Sequence, residues 1–336
     1  MKAVVLLNES AGTLANAKVA DAPRRIADGF RAAGVDADVR CVDPAILAEV
    51  AGGAATPDSG FDAVIGGGGD GTLNTIANAL AGTAKPFGVL PLGTHNHFAK
   101  DMNVPLDLGD AVAALARAAS RGAMSDIDVG EVNGRVFLNF SGIGLHPLVV
   151  RHRDAQRAAR GRNKFVALYV ALFRVLRRLP VMRVRIDGGG TSVRRITPSV
   201  VVCNNPHQMQ VIGVETVSHP DRRMLNVYLA RSTRWFGLAW LIVRALFRRL
   251  DTARNFEAIA LGELAVSTRR RVERVSVDGE VVDMKTPLRY RVRRGGLKVI
   301  VPQADAPDGA GLAPEIPASE RPAAEAAPNA HAEAAG

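Results

Sequence analysis

Residues 63–80 read AVIGGGGDGTLNTIANAL: four consecutive glycines and an Asp-Gly-Thr, set between a β-branched run and a segment of helical spacing. Glycine costs conformational entropy in any regular element, so a run this dense needs a compensating reason. A tight turn is one such reason, and a backbone that must lie close to a ligand is the other. A loop that leaves a strand and enters a helix presents unpaired backbone N–H groups at the positive end of the helix dipole. Glycines let that backbone approach a phosphate with no Cβ in the way. The segment is not a P-loop, because no Gly-Lys-Ser/Thr follows, and it fits Gly-x-Gly-x-x-Gly only by ending on Gly71. A dinucleotide fold would also want an acid at the next strand tip, and FGVLPLG has none. Asp70 would repel a bare phosphate. A carboxylate there fits a bridging divalent cation, or a hydroxyl that must be oriented.

The device recurs in LPLGTHNHFAKDMNVP, residues 90–105: a strand, a glycine turn at Gly93, then polar Thr94 and Asn96. Two such loops at neighbouring strand ends converge on one crevice, where open α/β sheets bind ligands. His95 and His97 suggest a metal pair, but no further ligands cluster with them to complete a four-ligand set.

Around these loops the first 125 residues alternate. Ala3–Leu7 reads as a buried strand; Val19, Ile26 and Phe30 mark a helix; VDADVRCV is a strand; Ile46–Val50 is a short helix; FDAVI is a strand. Leu73, Ile76, Ala77 and Leu80 then fall at helical spacing, PFGVLPLG is a strand, and 107–120 is a helix. Such alternation predicts a parallel sheet covered by helices. Past residue 125 the texture changes. DVGEVNGRVFLNF is two alternating runs joined by Asn133-Gly134, a hairpin signal. Short strands are expected at Met182–Ile186, Ser199–Cys203, Leu225–Leu229, Ala258–Ser267, Arg274–Val277, Leu288–Val292 and Leu297–Val301. The expected fold is therefore an α/β domain over 1–125, which 287–302 could return to complete, and an antiparallel β-sandwich over 126–302, with a cleft between them.

Two segments break the β pattern. Residues 151–185 carry eleven Arg/Lys against Asp154 alone, with Phe165, Leu168, Leu172, Val175, Leu176 and Leu179 on one helical face near Arg174, Arg177 and Arg178. Residues 231–256 repeat the theme with Trp235, Trp240 and six arginines. The uninterrupted apolar run Trp235–Val243 is about half the roughly 20 residues a bilayer span requires. Amphipathic helices at 155–180 and 233–254 are expected, either packed on their own domain or lying on an anionic membrane. The excess of 43 basic over 33 acidic residues, net +10, independently asks for an anionic partner. Nucleic acid is disfavoured, because Trp and Phe cluster with Leu and Val rather than forming a stacking platform. The N-terminal apolar run is too short for a signal peptide, and Cys41 and Cys203 form neither a disulfide framework nor a metal set, so a cytoplasmic setting is expected. The Ala/Pro/Glu/Gly-rich 303–336 reads as a disordered tail.

GGDGTLN at Gly68–Asn74, followed by PLGTHNHFA at Pro91–Ala99, resembles the diacylglycerol kinase catalytic-domain family, which includes bacterial lipid kinases and the sphingosine and ceramide kinases. The similarity runs along nearly the whole chain. LLNESAG sits where that family has its first-strand Asn-Pro-x-x-Gly phosphate loop, IDVGEVNGRVFLNFSGIGLHPLVV matches its linker into the β domain, and VSVDGEVV matches its late Asp-Gly-Glu motif. The resemblance implies an NAD kinase-like nucleotide-binding domain and a lipid-substrate domain. It implies γ-phosphoryl transfer from ATP, with Mg²⁺, to the hydroxyl of a membrane lipid such as diacylglycerol or a sphingoid base. Carried over by position, Asn8, Gly12, Gly67, Gly68, Gly69, Gly71, Thr72, Asn74, Gly93, Thr94 and Asn96 would hold the nucleotide. Asp70 would be the essential acid and a metal contact, and Asp278 and Glu280 would face it and supply the general base. Phosphoryl transfer does need mostly positioning, charge neutralisation and a carboxylate for the hydroxyl proton. Asp278-Gly279 is also an ordinary hairpin turn signal, and a turn can display an acid.

The sequence departs from that family's pattern at Glu9, where Pro is usual, at His97, where Asp is common, and at Thr75, where Glu is frequent. In HPDRRMLNV, Asp221 is followed by Arg222 and Arg223 instead of a second acid, so the accessory Mg²⁺ site often found there is not expected. A peripherally membrane-associated lipid kinase is the leading expectation. An NAD kinase-like soluble kinase and a non-catalytic lipid- or membrane-binding protein are the alternatives.

Overall fold

The computed structural model describes residues 1–10, 21–94, 96–145, 147, 181–204, 224–231 and 256–302. The expected helices at 155–180 and 233–254, the tail 303–336, and Gly12, Val19, His95 and Asp221 lie outside the described residues. Strand β1 (Lys2–Asn8) is apolar on both faces, as a central parallel strand must be, and Ala3 to Leu7 are fully buried. It pairs in parallel with β2 (Asp36–Val42) on one side and β3 (Ala63–Gly68) on the other. Helix α1 (Ala22–Ala32) joins the first two, burying Ile26 and Phe30 one turn apart. Helix α2 (Leu47–Ala55) leads to β3. Helix α3 (Asp70–Leu80) then returns the chain to β4 (Phe87–Pro91), parallel to β3. A five-residue helix, α4 (His97–Asp101), and α5 (Leu108–Ser120) follow; the Asp107 carboxylate caps α5 through the N–H groups of Gly109 and Asp110.

The strand expected to stop at Ile65 runs on through Gly66, Gly67 and Gly68. A Cβ on Gly66 would lie 2.8 Å from the Ile76 side chain, and one on Gly67 would lie 2.4 Å from that of Leu7. The first glycines therefore answer a packing demand that the sequence reading did not weigh. They let helix and core side chains close onto the strand.

The remaining strands are antiparallel to their partners, apart from one short parallel contact. β5 (Met124–Val132) and β6 (Arg135–Phe137) form the expected hairpin, with Asn133 and Gly134 both at positive φ. Next come β7 (Phe140–Gly144), β8 (Met182–Gly188), β9 (Thr191–Thr197), β10 (Ser199–Cys203), β11 (Leu225–Ala230) and β12 (Phe256–Leu261). The chain closes with β13 (Glu263–Ser267), β14 (Val272–Val277), β15 (Glu280–Lys285) and β16 (Leu288–Ile300). The single strand expected over Ala258–Ser267 is two, broken at Gly262, with one half in each sheet. The two expected near the C-terminal end, 288–292 and 297–301, are instead the one strand β16, which shifts register against β5 between Arg293 and Leu297 at Gly295-Gly296.

β16 joins the architecture. It meets β4 in parallel at Val299↔Phe87 and β13 antiparallel, so a ten-stranded sheet passes without interruption from the α/β domain into the β domain, in the order β2-β1-β3-β4-β16-β13-β8-β9, with β5 paired to β16 and β6 to β5 as a side branch. The second sheet, β12-β11-β10-β7-β14-β15, packs across the antiparallel part of the first. Between them lies a core of Phe137, Ile143, Ile186, Val200, Val275 and Tyr290 with their neighbours. Among the described residues, no helix is long and apolar enough to cross a membrane.

Phe137 is fully buried, edge-on to Tyr290 with ring centroids 6.3 Å apart, and covers Gly130. Phe137→Ala should lower stability by about 3–5 kcal/mol, the usual cost of emptying a large aromatic site. Urea unfolding followed by circular dichroism checks this, and a shift below 1 kcal/mol would show that the interface is loosely packed.

Candidate active site

The two glycine loops touch. α3 starts at Gly69 with no side-chain cap, so its first N–H groups have no side chain to bond to. Gly93 lies directly opposite: a Cβ there would be 2.4 Å from the Gly69 Cα, a distance only glycine permits. Leu92 N–H donates to Gly68 O at 3.2 Å. The convergence expected from the repeated strand–glycine pattern is thus an actual backbone contact.

The polar residues of the loops do different jobs. Asn96, at φ 51°, is buried; its Oδ1 accepts from Gly93 N–H at 2.9 Å and its Nδ2 donates to the carbonyls of Gly93 and Pro91, so it shapes the second loop. Thr94 is exposed at the lip. Asn8, at the end of β1, donates to Thr72 Oγ1 at 2.8 Å and ties the first strand to the first turn of α3. A Cβ on Gly68 would strike Thr72, so Gly68 lets Thr72 fold back over the strand end. Asp70 bridges the loops, its Oδ1 accepting from Phe98 N–H at 3.2 Å. Its Oδ2 accepts nothing among the described residues.

The β domain meets α3 through a buried polar network. Asp278 occupies a two-residue turn with Gly279, both at positive φ, so the hairpin reading of this dipeptide is correct locally. Its side chain turns inward and is only 5% exposed. Oδ1 accepts from the N–H groups of Asn139 and Phe140 at 2.9 Å each; Oδ2 accepts from Leu138 N–H at 2.6 Å and from Asn74 Nδ2 at 2.7 Å. Asn74, expected to touch nucleotide, is fully buried and spends its amide on Asp278 and the Val136 carbonyl. Asn78, one turn on, pairs with both backbone groups of Val136. Burial pushes the Asp278 carboxyl up to about 7, helped by the negative charge of Asp70 and opposed by the three backbone N–H bonds.

Glu280 comes close to Gly71, with its Cγ 3.9 Å from where a Cβ would stand. Its Oε1 accepts from Thr75 Oγ1 at 3.1 Å, and its Oε2 is paired with Arg135. Sequence reasoning missed Arg135 and Asn78. The polar i, i+4 pair Asn74 and Asn78 on an otherwise apolar helix was the available signal for the network. Nothing in the sequence pointed to Arg135. Of the three acids singled out beforehand, all are gathered here, yet Asp278 and Glu280 have both oxygens engaged. Among the described residues no group of three or more His, Cys, Asp or Glu is arranged around a metal position.

Residues 2–132 match the profile of the diacylglycerol kinase catalytic domain. The chain is 44% identical over 86 residues to the "Probable lipid kinase YegS-like" of Pseudomonas aeruginosa, an alignment covering 25% of this chain and 26% of that protein. It is 41% identical over 86 residues to the diacylglycerol kinase of Bacillus subtilis, covering 25% and 27%. These alignments therefore span about a quarter of either relative. A crystal structure of a diacylglycerol kinase from Bacillus anthracis superposes with TM-score 0.61 at 18% identity, covering 89% of this chain and 96% of that one, a likeness of fold. The chain is thus similar to the lipid kinases of the diacylglycerol kinase family, and the match to that family's catalytic-domain profile covers residues 2–132.

On the expectation that these loops hold a nucleotide, Gly93→Ala should weaken its binding at least tenfold, since the loops cannot close without a backbone shift; calorimetric titration with an ATP analogue checks it. Asp278 yields a pH signature. The folded protein holds its proton to about pH 7, whereas an unfolded Asp releases it near pH 4. Between those values the native state binds the extra proton, so this group's contribution to stability is full below pH 4 and is lost as pH rises through 7. Asp278→Asn, which cannot ionise, should lose less stability than the unmodified protein between those limits in paired urea titrations. Equal slopes would mean that Asp278 ionises freely.

Proposed function

We propose that this protein is a lipid kinase that moves the γ-phosphoryl group of ATP to a hydroxyl of a membrane lipid such as diacylglycerol or a sphingoid base. The observation that carries the reading is Asp70: it sits between two touching glycine loops and, alone of the three gathered acids, keeps an oxygen without a hydrogen bond among the described residues. The uncapped first turn of α3 and the backbone of Gly69, Gly71 and Thr72 suit phosphate oxygens, with Gly93 and Thr94 forming the opposite lip. Asn8, Thr72, Gly67, Gly68 and Asn96 hold those loops in shape. A Mg²⁺ ion entering with ATP would neutralise charge on the phosphates, and the Asp70 carboxylate fits as its protein contact.

In this reading Asp70 accepts the proton of the lipid hydroxyl as the new O–P bond forms and the bond from the γ-phosphorus to the bridging oxygen breaks, releasing ADP. The hydroxyl must reach Asp70 from the β-domain side, where Glu280 stands beside Gly71. Glu280, held by Arg135 and Thr75, is placed to orient that hydroxyl. Asp278 acts as a strut: it fixes Asn74, and with it α3, against the β domain.

The test is transfer of label from γ-labelled ATP, with Mg²⁺, to a panel of lipids in mixed micelles, with NAD as a control acceptor. A labelled lipid is the expected result; label on NAD alone would replace the reading with a soluble kinase. Asp70→Asn should cut turnover by about 10²–10⁴, the range general-base removal produces, while the unfolding temperature stays close to that of the unmodified protein. Undiminished turnover would remove Asp70 from the mechanism.

A further inference from the structure

One corner of the β domain gathers features that the nucleotide site does not use. In the β8–β9 hairpin, Arg183 stands opposite Ile196 and Arg185 opposite Arg194, so these four side chains share one face of the ribbon. Ser267 pairs with Arg185, so the loop that continues from it, Thr268–Arg271, emerges beside the same end of the hairpin. Arg269 and Arg271 are exposed there. The acids nearby are already engaged: Asp187 with Arg185, Glu257 with Arg195, Glu273 with Arg270 and Asp283 with Arg274. The side chains of Arg183, Arg194, Arg269 and Arg271 form no ion pair among the described residues. Beside them the protein leaves three large aliphatic side chains in solvent: Val181 at 45%, Ile196 at 53% and Val272 at 48% exposed.

The chain also leaves and re-enters the described fold at this corner, twice. Leu145 N–H donates to Pro198 O at 2.9 Å, and after Pro147 the chain returns at Val181. Thr197 Oγ1 donates to Ala230 O at 2.9 Å, and after Arg231 the chain returns at Phe256, which pairs with Ala230. The described residues that flank the two strongly basic, apolar-rich stretches of the sequence are therefore grouped around Thr197-Pro198. Val272 and Val277 mark the two ends of β14, roughly 17 Å apart at the usual rise per residue. The arginines are thus too far from the glycine loops to serve nucleotide phosphates.

We propose that this corner is the surface by which the protein docks on an anionic lipid bilayer. The inference rests on the lipid-kinase reading for its purpose: a soluble enzyme must reach an acceptor held in a membrane. Unpaired arginines next to exposed aliphatic groups match such a surface, the first meeting headgroup phosphates and the second entering the acyl boundary. A nucleic acid would supply phosphates but nothing for Val181, Ile196 and Val272, and no aromatic platform accompanies them.

The test is co-sedimentation with vesicles of phosphatidylcholine alone and of phosphatidylcholine mixed with phosphatidylglycerol. Each arginine near an anionic surface contributes about a factor of five in partitioning, so the quadruple variant R183Q/R194Q/R269Q/R271Q should bind the anionic vesicles at least a hundredfold less. A charge-matched control on the α/β domain, R24Q/R25Q/R117Q/R121Q, should bind like the unmodified protein, and Ile196→Gln should weaken binding severalfold with no change in charge. Equal losses in the two quadruple variants would overturn the proposal in favour of general charge attraction. Unchanged binding of the corner variant, or no binding by the unmodified protein, would overturn it outright. Displacement from vesicles by duplex DNA would do so as well. Sedimentation is read without turnover, while a short-chain, water-soluble acceptor reports phosphoryl transfer without a membrane. The docking surface and the kinase reading can therefore fail separately.

Discussion

The carboxylate of Asp278 is the point through which the two halves of the molecule are held in register. Four donors converge on it: three successive N–H groups from the Leu138–Phe140 segment and the Asn74 amide from α3. Removing a buried acceptor strands its donors at roughly 1–3 kcal/mol each, so this cluster specifies a geometry rather than merely adding stability. Because Asn74 lies one turn past the glycine loop, the position of the loop relative to the β domain is set here. β16 provides the covalent counterpart, pairing with β4 near one end and with β13 near the other.

That arrangement separates the acids near Asp70 by role. A carboxylate whose oxygens are all engaged can take a proton from a passing hydroxyl only by giving up a bond already made, whatever its own pKa. Asp278 has four such bonds and Glu280 has a hydroxyl and a guanidinium. Asp70 has one, from Phe98, and that bond aims the carboxylate across the gap between the loops. Three charged acids close together would repel; Asp278 keeps its proton to about pH 7 and Glu280 is paired with Arg135, which limits that repulsion around Asp70.

Much of this was legible in the sequence where one residue type solves one local problem. Asn133-Gly134 and Asp278-Gly279 form turns because both positions take positive φ, and Gly93 recurs because the loops touch there. The readings that changed involve partners far along the chain. The glycines at 66–68 continue a strand because Ile76 and Leu7 need the space, which no local pattern reveals. The break at Gly262 and the continuity of β16 through Gly295-Gly296 are opposite outcomes for the same residue type; neighbouring strands decided each. Asp278 was legible as an acid in a turn. Its burial was not, because the three N–H groups it binds lie 138–140 residues upstream.

The net positive charge, read from composition alone, admitted nucleotide phosphates and membranes equally. The two proposals assign them to different places in the fold. At the proposed nucleotide site the donors are backbone N–H groups, and the guanidinium of Arg135 is paired with Glu280. A site of this kind would hold phosphate by shape and dipole and release ADP without breaking strong ion pairs. The arginines of the β8–β9 corner, which form no ion pair among the described residues, lie at the far end of β14, where the docking proposal needs a diffuse, salt-sensitive attraction to a surface rather than a tight pocket. Under the two proposals, separating the sites in this way would let membrane attraction be strong without slowing nucleotide exchange, a division that a single basic cleft could not achieve.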